Sequence, residues 1–322
     1  MRFLGESVKN GEFPAAQYAV FRGSTLQTAS FGTFSSASSD RIDDSTQFDL
    51  ASLTKALFTA PLFYRMIRDK IVNTEDDCGI LLGYPKAGIS LYELLAHRSG
   101  LVNWLPFYET CGLDLTQKER KKAVTETIFA SERHEKSYCY SDLNYILLGF
   151  IAERLLDAPF DVVFEKFKAE ESLCGAITFY PKHRTPSTAF SALRGLNPTQ
   201  EVEDENCFYL GGATGHAGLF GSAREVAGYL SELIAKPWFT EVGEALDFPG
   251  FDRPEGENSI YGRHAKPGFL AHLGFTGTAF LVDRSRKTVA ALLTNSTYPT
   301  PERPQRREKL RIIRQTFFES VF

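Results

Sequence analysis

Ser52 and Lys55 stand three residues apart in the segment Ala-Ser-Leu-Thr-Lys at 51–55. The segment follows a strand-like run, Thr46-Gln47-Phe48-Asp49-Leu50, and opens the apolar stretch 56–67, which reads as a helix. On a helix, positions i and i+3 share a face, so a hydroxyl and an amine are held side by side. Free N–H groups and the dipole at a helix start favour negative charge. That setting suits a serine that must become an alkoxide: the neighbouring amine takes its proton and the helix end stabilises the charge. Taken alone, Ser-x-x-Lys also fits an N-terminal serine followed by a solvated lysine. Pro61 sits inside the stretch, where it should kink the helix or end a turn.

Two further groups could join this chemistry. Tyr140-Ser141-Asp142, with Asn144 behind it, precedes a strongly apolar segment. Ser141 or Asp142 suits a helix N-cap. A tyrosine in the loop before that helix can project its phenol into a cleft, where surrounding cations would lower its pKa and let it shuttle a proton. His272-Leu273-Gly274 lies on a strand-like run, where a histidine is either a satisfied partial-core residue or a catalytic group. Gly274 inside a strand suggests close approach of a ligand or another backbone.

The elements that must position these residues are legible in outline. Residues 18–22 and 25–31 flank Gly23-Ser24 and read as a hairpin. Capping boxes stand at Ser90/Glu93, Thr116/Glu119 and Ser222/Glu225. The spacing predicts helices over about 91–97, 117–131, 142–156 and 223–235. The last third turns to strands, over 272–275, 279–282 and 288–293. From about Glu302 the chain becomes helical, with Leu310, Ile313, Phe317 and Val321 on one face. Strands, then helices, then strands and a terminal helix predict an α+β fold. An antiparallel sheet is made by both chain ends (1–50 and 208–322), and a mainly helical lobe (51–207) is inserted between them. A site is expected in the cleft between the lobes.

Composition bounds the function. At 322 residues the chain supports a sizeable core, and its 27 phenylalanines suit an aromatic-rich core or pocket. Hydrophobic content of 43%, charged content of 24% and a net charge of −4 give no global reason to expect a nucleic-acid or membrane partner. No apolar run is long enough for a membrane span. The first residues lack the apolar core of a secretory signal, so a cytoplasmic location is expected, or a periplasmic one if a leader was removed. Five cysteines without Cys-x-x-Cys spacing give no metal site and suggest reduced thiols, with Cys139 a small buried hydrophobe. The basic cluster Arg303, Arg306, Arg307, Lys309, Arg311 and Arg314 reads as the solvated face of the terminal helix.

In their order and separation, Ser-x-x-Lys, Tyr-Ser-Asp and His-x-Gly resemble the serine β-lactamase and penicillin-binding-protein superfamily. The similar branch holds class C β-lactamases, D-alanyl-D-alanine carboxypeptidases and related esterases. The segments Leu-Leu-Ala-His-Arg-Ser-Gly-Leu at 94–101, Tyr-Ile-Leu-Leu-Gly at 145–149, Gly-His-Ala-Gly-Leu-Phe at 215–220 and Gly-Phe-Thr-Gly-Thr at 274–278 carry the likeness over about 15–297. The resemblance implies a β-lactamase/transpeptidase-like fold and no cofactor. It implies that Ser52 is the acylated nucleophile, that Lys55 is the base or electrostatic partner, and that Tyr140 is the proton relay. His272 falls where the family has lysine or histidine. The backbone N–H groups of Ser52 and Phe275 would form the oxyanion hole. His97 and His216 fall in packing signatures. Trp104 and Tyr108, with Phe107 between them, are core or cleft wall.

Two departures bear on substrate. Asp142 replaces the usual asparagine; a carboxylate only accepts hydrogen bonds, and it could pair with Lys55 and keep it protonated. Leu273 replaces the usual threonine, whose hydroxyl helps to bind a substrate carboxylate. Both disfavour β-lactams and favour an ester, or a peptide without that contact. Three functions follow: an acyl-enzyme serine hydrolase of small-molecule or peptide amides and esters, with a peptidoglycan-derived or D-Ala peptide among the candidate substrates; a broad carboxylesterase; or a catalytically weak binding or regulatory protein. The oligomeric state is not legible.

Overall fold

The computed structural model describes residues 1–254 and 259–322. A short helix α1 (Arg2–Lys9) leads into strands β1 (Ala15–Arg22) and β2 (Thr25–Gly32), and a two-residue strand β3 (Phe48–Asp49) follows. Next come a π-helical segment, Lys55–Thr59, and the helices α2 (Ala60–Arg68), α3 (Cys78–Leu82), α4 (Leu91–Leu95), α5 (Phe107–Thr110), α6 (Gln117–Ala130), α7 (Asp142–Leu156), α8 (Phe160–Glu170) and α9 (Glu205–Tyr209). The chain then passes through β4 (Phe220–Gly221), α10 (Ala223–Ile234), α11 (Pro237–Leu246), β5 (Leu270–Leu273), β6 (Ala279–Asp283), β7 (Thr288–Thr294) and α12 (Arg306–Val321).

The main sheet has the order β2-β1-β7-β6-β5, and every pairing in it is antiparallel. The Gly23-Ser24 turn sets the hairpin register, with Arg22 opposite Thr25. β1 then pairs with β7, so the two ends of the chain share one sheet. Both faces of that sheet are covered. Ala15 and Ala19 of β1 and Val289, Ala291 and Leu293 of β7 join the large core under α10. Their alternates, Ala16, Tyr18, Val20, Ala290 and Leu292, join a second core with Ile313, Phe317 and Phe318 of α12. This is the period-two alternation of a strand buried on both sides.

The helices between the sheet-forming ends pack around α7, whose residues from Leu143 to Ala152 are all buried. A helix apolar all round belongs in a core rather than at a surface. Gly149 of α7 lies so close to Gly215 that an added Cβ would press on the Gly215 backbone. Pro61 does not end the helix behind Ser52, since the backbone stays helical through Thr59 and Ala60. It occupies the first turn of α2, at the point where the π-helical winding of the preceding chain gives way to α. Phe58 of that segment is fully buried against the rings of Phe160, Phe164, Phe167 and Phe179. The sequence reading had no helix for three of these phenylalanines: α8 carries an apolar face without a polar cap to announce it. The Cys139 expectation is also overturned. The residue is exposed, in the loop that delivers Tyr140.

Because the phenylalanine cluster backs the segment that carries Lys55, Phe58→Ala should cost about 3–5 kcal/mol, the range for emptying a buried aromatic site. Urea unfolding measures this; a loss below about 1 kcal/mol would show that the cluster does not support the segment.

Candidate active site

The site begins with a strained turn. Ala51 adopts φ of +48°, a left-handed backbone uncommon for a residue with a side chain. The buried Asp49 carboxylate accepts the Ala51 N–H at 2.8 Å and the Glu203 N–H at 2.6 Å. The turn takes Ser52 off the end of β3 and places it one turn ahead of Lys55.

Lys55 is fully buried. Its Nζ donates to Ser52 Oγ at 2.9 Å and to the His216 carbonyl at 3.1 Å, and lies 2.8 Å from Asp142 Oδ1. The contact with Asp142 is an ion pair rather than a well-directed hydrogen bond. Burial works to depress the ammonium, but Asp142 and then Tyr140 outweigh it, and the lysine pKa is raised. Asp142 stands in the first turn of α7, where the dipole favours a carboxylate. Ser141, its N-cap, makes no side-chain cap and instead donates from Oγ to the Val102 carbonyl at 2.6 Å.

Tyr140 places its ring 4.9 Å from Lys55 Nζ. Burial raises the phenol pKa more than Lys55 lowers it, so the expected depression by cations does not occur. His97 stacks on the Tyr140 ring at 4.6 Å, and its Nδ1 accepts the Ser141 N–H at 3.1 Å. His97 thus fixes the tyrosine loop. His216 packs as expected, between Thr214 Oγ1 and Asp204 Oδ1, each 2.9 Å away.

His272 is buried 6.1 Å, ring to ring, from Tyr140. Its Nδ1 lies 2.8 Å from the Leu273 carbonyl. A carbonyl only accepts, so Nδ1 carries the proton and Nε2 is the free acceptor of the neutral ring. Burial lowers the imidazole pKa from its ordinary 6.5, against the opposing pull of Asp252.

The turn 274–278 closes the site from the sheet side. Thr276 Oγ1 donates to the Asp49 carbonyl at 2.9 Å and Thr278 Oγ1 to the Leu50 carbonyl at 3.1 Å. Gly274 lies against the turn that carries Ala51 and Ser52; a Cβ there would collide with Thr278 Oγ1 and the Leu50 carbonyl. Among the described residues, the N–H groups of Ser52 and Phe275 have no backbone acceptor.

These groups line a cavity of about 810 Å³ that includes Ser52, Trp104, Tyr140, Asp142, His272, Leu273, Gly274 and Phe275. Tyr108 is not on its wall; it lies behind Trp104, with ring centroids 6.4 Å apart. Phe107 is core. Four acidic wall residues had no sequence signal: Glu203, Asp204, Glu205 and Asp252. Burial pushes the Glu203 carboxyl up to about 8, and its Oε2 accepts from Thr297 Oγ1 at 2.6 Å. The basic cluster reading is also corrected. Arg306 and Arg314 are buried, at 8% and 6% exposure, and donate to carbonyls of the turn 274–278. Their signal was present: steps of four from Arg306 through Leu310 to Arg314 put both on the apolar face.

The family model described as Beta-lactamase matches residues 2–315. A relative named N-acetylmuramyl-L-alanine amidase, from Bacillus subtilis (strain 168), is 29% identical over 304 residues, covering 79% of this chain and 68% of the relative. This chain spans about half the length, 47%, of other curated relatives it matches. Two solved structures show the same fold. One is titled EstCE1, a hydrolase with promiscuous acyltransferase activity; its TM-score is 0.71 at 16% identity, covering 96% of each chain. The other is a class C beta lactamase from Rhodobacter sphaeroides, with a TM-score of 0.69 at 13% identity, covering 98% of this chain and 97% of that one. Among the described residues, no helix is long and apolar enough to cross a membrane.

The geometry of His272 yields a pH prediction. Its ring should titrate below 6.5, so that at pH 7 it carries no charge. NMR titration of the imidazole carbon-bound protons measures this. A midpoint at or above 6.5 would show that Asp252 outweighs burial.

Proposed function

This chain belongs to the beta-lactamase family and is a serine hydrolase, and on that premise we propose that it works through an acyl-enzyme on Ser52, with neutral esters as its preferred acyl donors. The observation that carries the reading is the buried Lys55 ammonium, held at once by Ser52 Oγ, Asp142 and the His216 carbonyl. The reaction takes place between one lobe made of 1–50 with 208–322 and another made of 51–207.

An ammonium cannot accept the Ser52 proton until it has given one up. Asp142 Oδ1, 2.8 Å away, is the acceptor within reach. As Ser52 Oγ bonds to the substrate carbonyl carbon, its proton passes to Lys55 while Lys55 passes one to Asp142. The carbonyl oxygen gathers negative charge between the N–H groups of Ser52 and Phe275. Tyr140 then donates its phenol proton to the leaving oxygen as the carbon–oxygen bond breaks. The proton on Asp142 returns through Lys55 to Tyr140. Water takes the place of the leaving group and the same transfers run backwards to free the acid.

The charge around the cavity supports a neutral substrate. His272 brings no cation at neutral pH, and Leu273 brings no hydroxyl. Asp142 and Asp252 face the cavity, and no lysine or arginine lines it among the described residues. A substrate carboxylate would meet like charge without a counter-ion. Amides are the second reading, favoured by the amidase name of the Bacillus relative.

Ser52→Ala should abolish labelling by a fluorophosphonate without changing the melting temperature. A label that persists, or that maps to another residue, overturns the assignment. Lys55→Ala and Tyr140→Phe should each lower turnover by at least ~10²-fold, the scale of a proton-transfer group, and the double variant should lose far less than the product. Multiplicative losses would mean that the two act independently.

Substrate preference is read from the ratio of rates on nitrocefin and a neutral p-nitrophenyl ester at pH 7. The wild type should favour the ester, and Asp142→Asn with Leu273→Thr should shift the ratio towards nitrocefin. A wild type that already favours nitrocefin, or a ratio that stays fixed in the double variant, contradicts the reading.

A further inference from the structure

The terminal helix sends two buried guanidinium groups to the back of the turn that carries the Phe275 N–H. Arg314 Nη2 donates to the Gly274 carbonyl at 3.2 Å and to the Thr278 carbonyl at 3.0 Å. Arg306 Nη2 donates to the Phe275 carbonyl at 2.7 Å and to Ser296 Oγ at 3.0 Å, and its Nε to the Ser296 carbonyl at 2.9 Å. Neither arginine forms an ion pair among the described residues, although both are buried. Placing a charge in a protein interior costs several kcal/mol unless something there repays it. Here the guanidinium groups are received by carbonyl oxygens and by one hydroxyl, Ser296 Oγ. Burial lowers the Arg314 pKa to about 10, which leaves it charged at neutral pH.

The carbonyl that Arg314 holds belongs to the same peptide unit as the Phe275 N–H. A cation on the oxygen of a peptide draws electron density from its nitrogen and makes the N–H a stronger donor, the polarisation seen along any chain of hydrogen bonds. The bond to the Thr278 carbonyl also fixes the plane of that peptide, because one guanidinium nitrogen spans both ends of the turn. The opposite side of the turn is tied to the nucleophile strand through Thr276 and Thr278. The Phe275 N–H is therefore aimed by contacts on two sides and strengthened from behind.

We propose that Arg314, supported by Arg306, is a positioning residue for oxyanion stabilisation: its buried guanidinium orients and polarises the Gly274–Phe275 peptide, whose N–H faces the reacting carbonyl oxygen. This rests on the acyl-enzyme reading above. Arg314 itself touches no substrate. Its effect belongs to the transition state, where the oxygen is charged, and is small in the ground state, where it is a neutral carbonyl.

The test measures kcat and KM on a neutral p-nitrophenyl ester and the inhibition constant of phenylboronic acid, which becomes a tetrahedral anion on the serine. Removing a whole oxyanion donor costs roughly 10²–10³-fold in kcat; weakening one should cost about 10–100-fold. Arg314→Met is expected to lose kcat on that scale with KM within about threefold. The phenylboronate constant should weaken in step with kcat, which lost packing alone would not produce. Arg314→Lys keeps the charge on a side chain one bond shorter, and is expected to recover part of both losses. Arg314→Met with kcat within threefold of wild type overturns the proposal. So does a loss confined to KM, or a kcat loss without the matching boronate loss. If Arg314→Met does not fold, Arg314→Lys decides the matter: a partial kcat loss tracked by the boronate supports the proposal, and wild-type values overturn it. Wild-type protein that neither turns over the ester nor labels at Ser52 would instead fail the acyl-enzyme reading.

Discussion

One buried ammonium organises the rest of this site. Lys55 has no exposure to water, and a charge so placed must find its compensation inside the protein. Asp142 supplies the counter-charge from the first turn of α7, the His216 carbonyl caps a second proton, and Ser52 takes the third. Each partner comes from a different stretch of chain. The buried ammonium therefore fixes Ser52, the tyrosine loop and the Gly-His-Ala-Gly segment relative to one another. Replacing Asn by Asp at 142 changes the chemistry available to the lysine: a neutral amide leaves it free to exchange a proton with Ser52, while a carboxylate holds it charged and offers an acceptor for the proton it must shed.

A second constraint works from the sheet. The turn 274–278 joins β5 to β6, and its position depends on two threonine hydroxyls on one side and two arginines on the other. The strain at Ala51 is held in the same way: Asp49 accepts its N–H while the Asp49 carbonyl receives Thr276. Backbone strain of that kind persists only when surrounding contacts over-determine it. The donors Ser52 N–H and Phe275 N–H therefore sit on two turns braced against each other. That is the rigidity the proposed oxyanion site needs, since donors that must reorient during reaction lose much of their benefit.

Much of this was legible in the sequence, for identifiable reasons. Capping boxes fixed α4, α6 and α10, and alternation with a two-residue turn fixed the β1–β2 hairpin. The Ser-x-x-Lys, Tyr-Ser-Asp and His-Leu-Gly segments marked groups that the fold brings to one cavity. The failures are equally specific. α8 begins after proline, with no side-chain cap, so no start signal marked its apolar face as a helix. Arg306 and Arg314 looked like solvated charge because arginine usually is, although their period matched the apolar face. Glu203 and Asp252 reach the cavity from irregular chain, and Asp204 and Glu205 from the start of the short helix α9, through long-range contacts that no local pattern encodes. The Tyr140 pKa could not be read at all, because its direction depends on burial outweighing a cation, a balance set only by tertiary packing.

The central claim is that an acyl group is carried on Ser52 during turnover. The most direct measurement is intact mass and peptide mapping of wild-type protein, quenched in acid within milliseconds to seconds of mixing with excess p-nitrophenyl ester. The account predicts a mass increase equal to the acyl group, located on the peptide that holds Ser52, while nitrophenol is released. Steady ester hydrolysis with no acyl group on the protein, or with the acyl group on another residue, would contradict it.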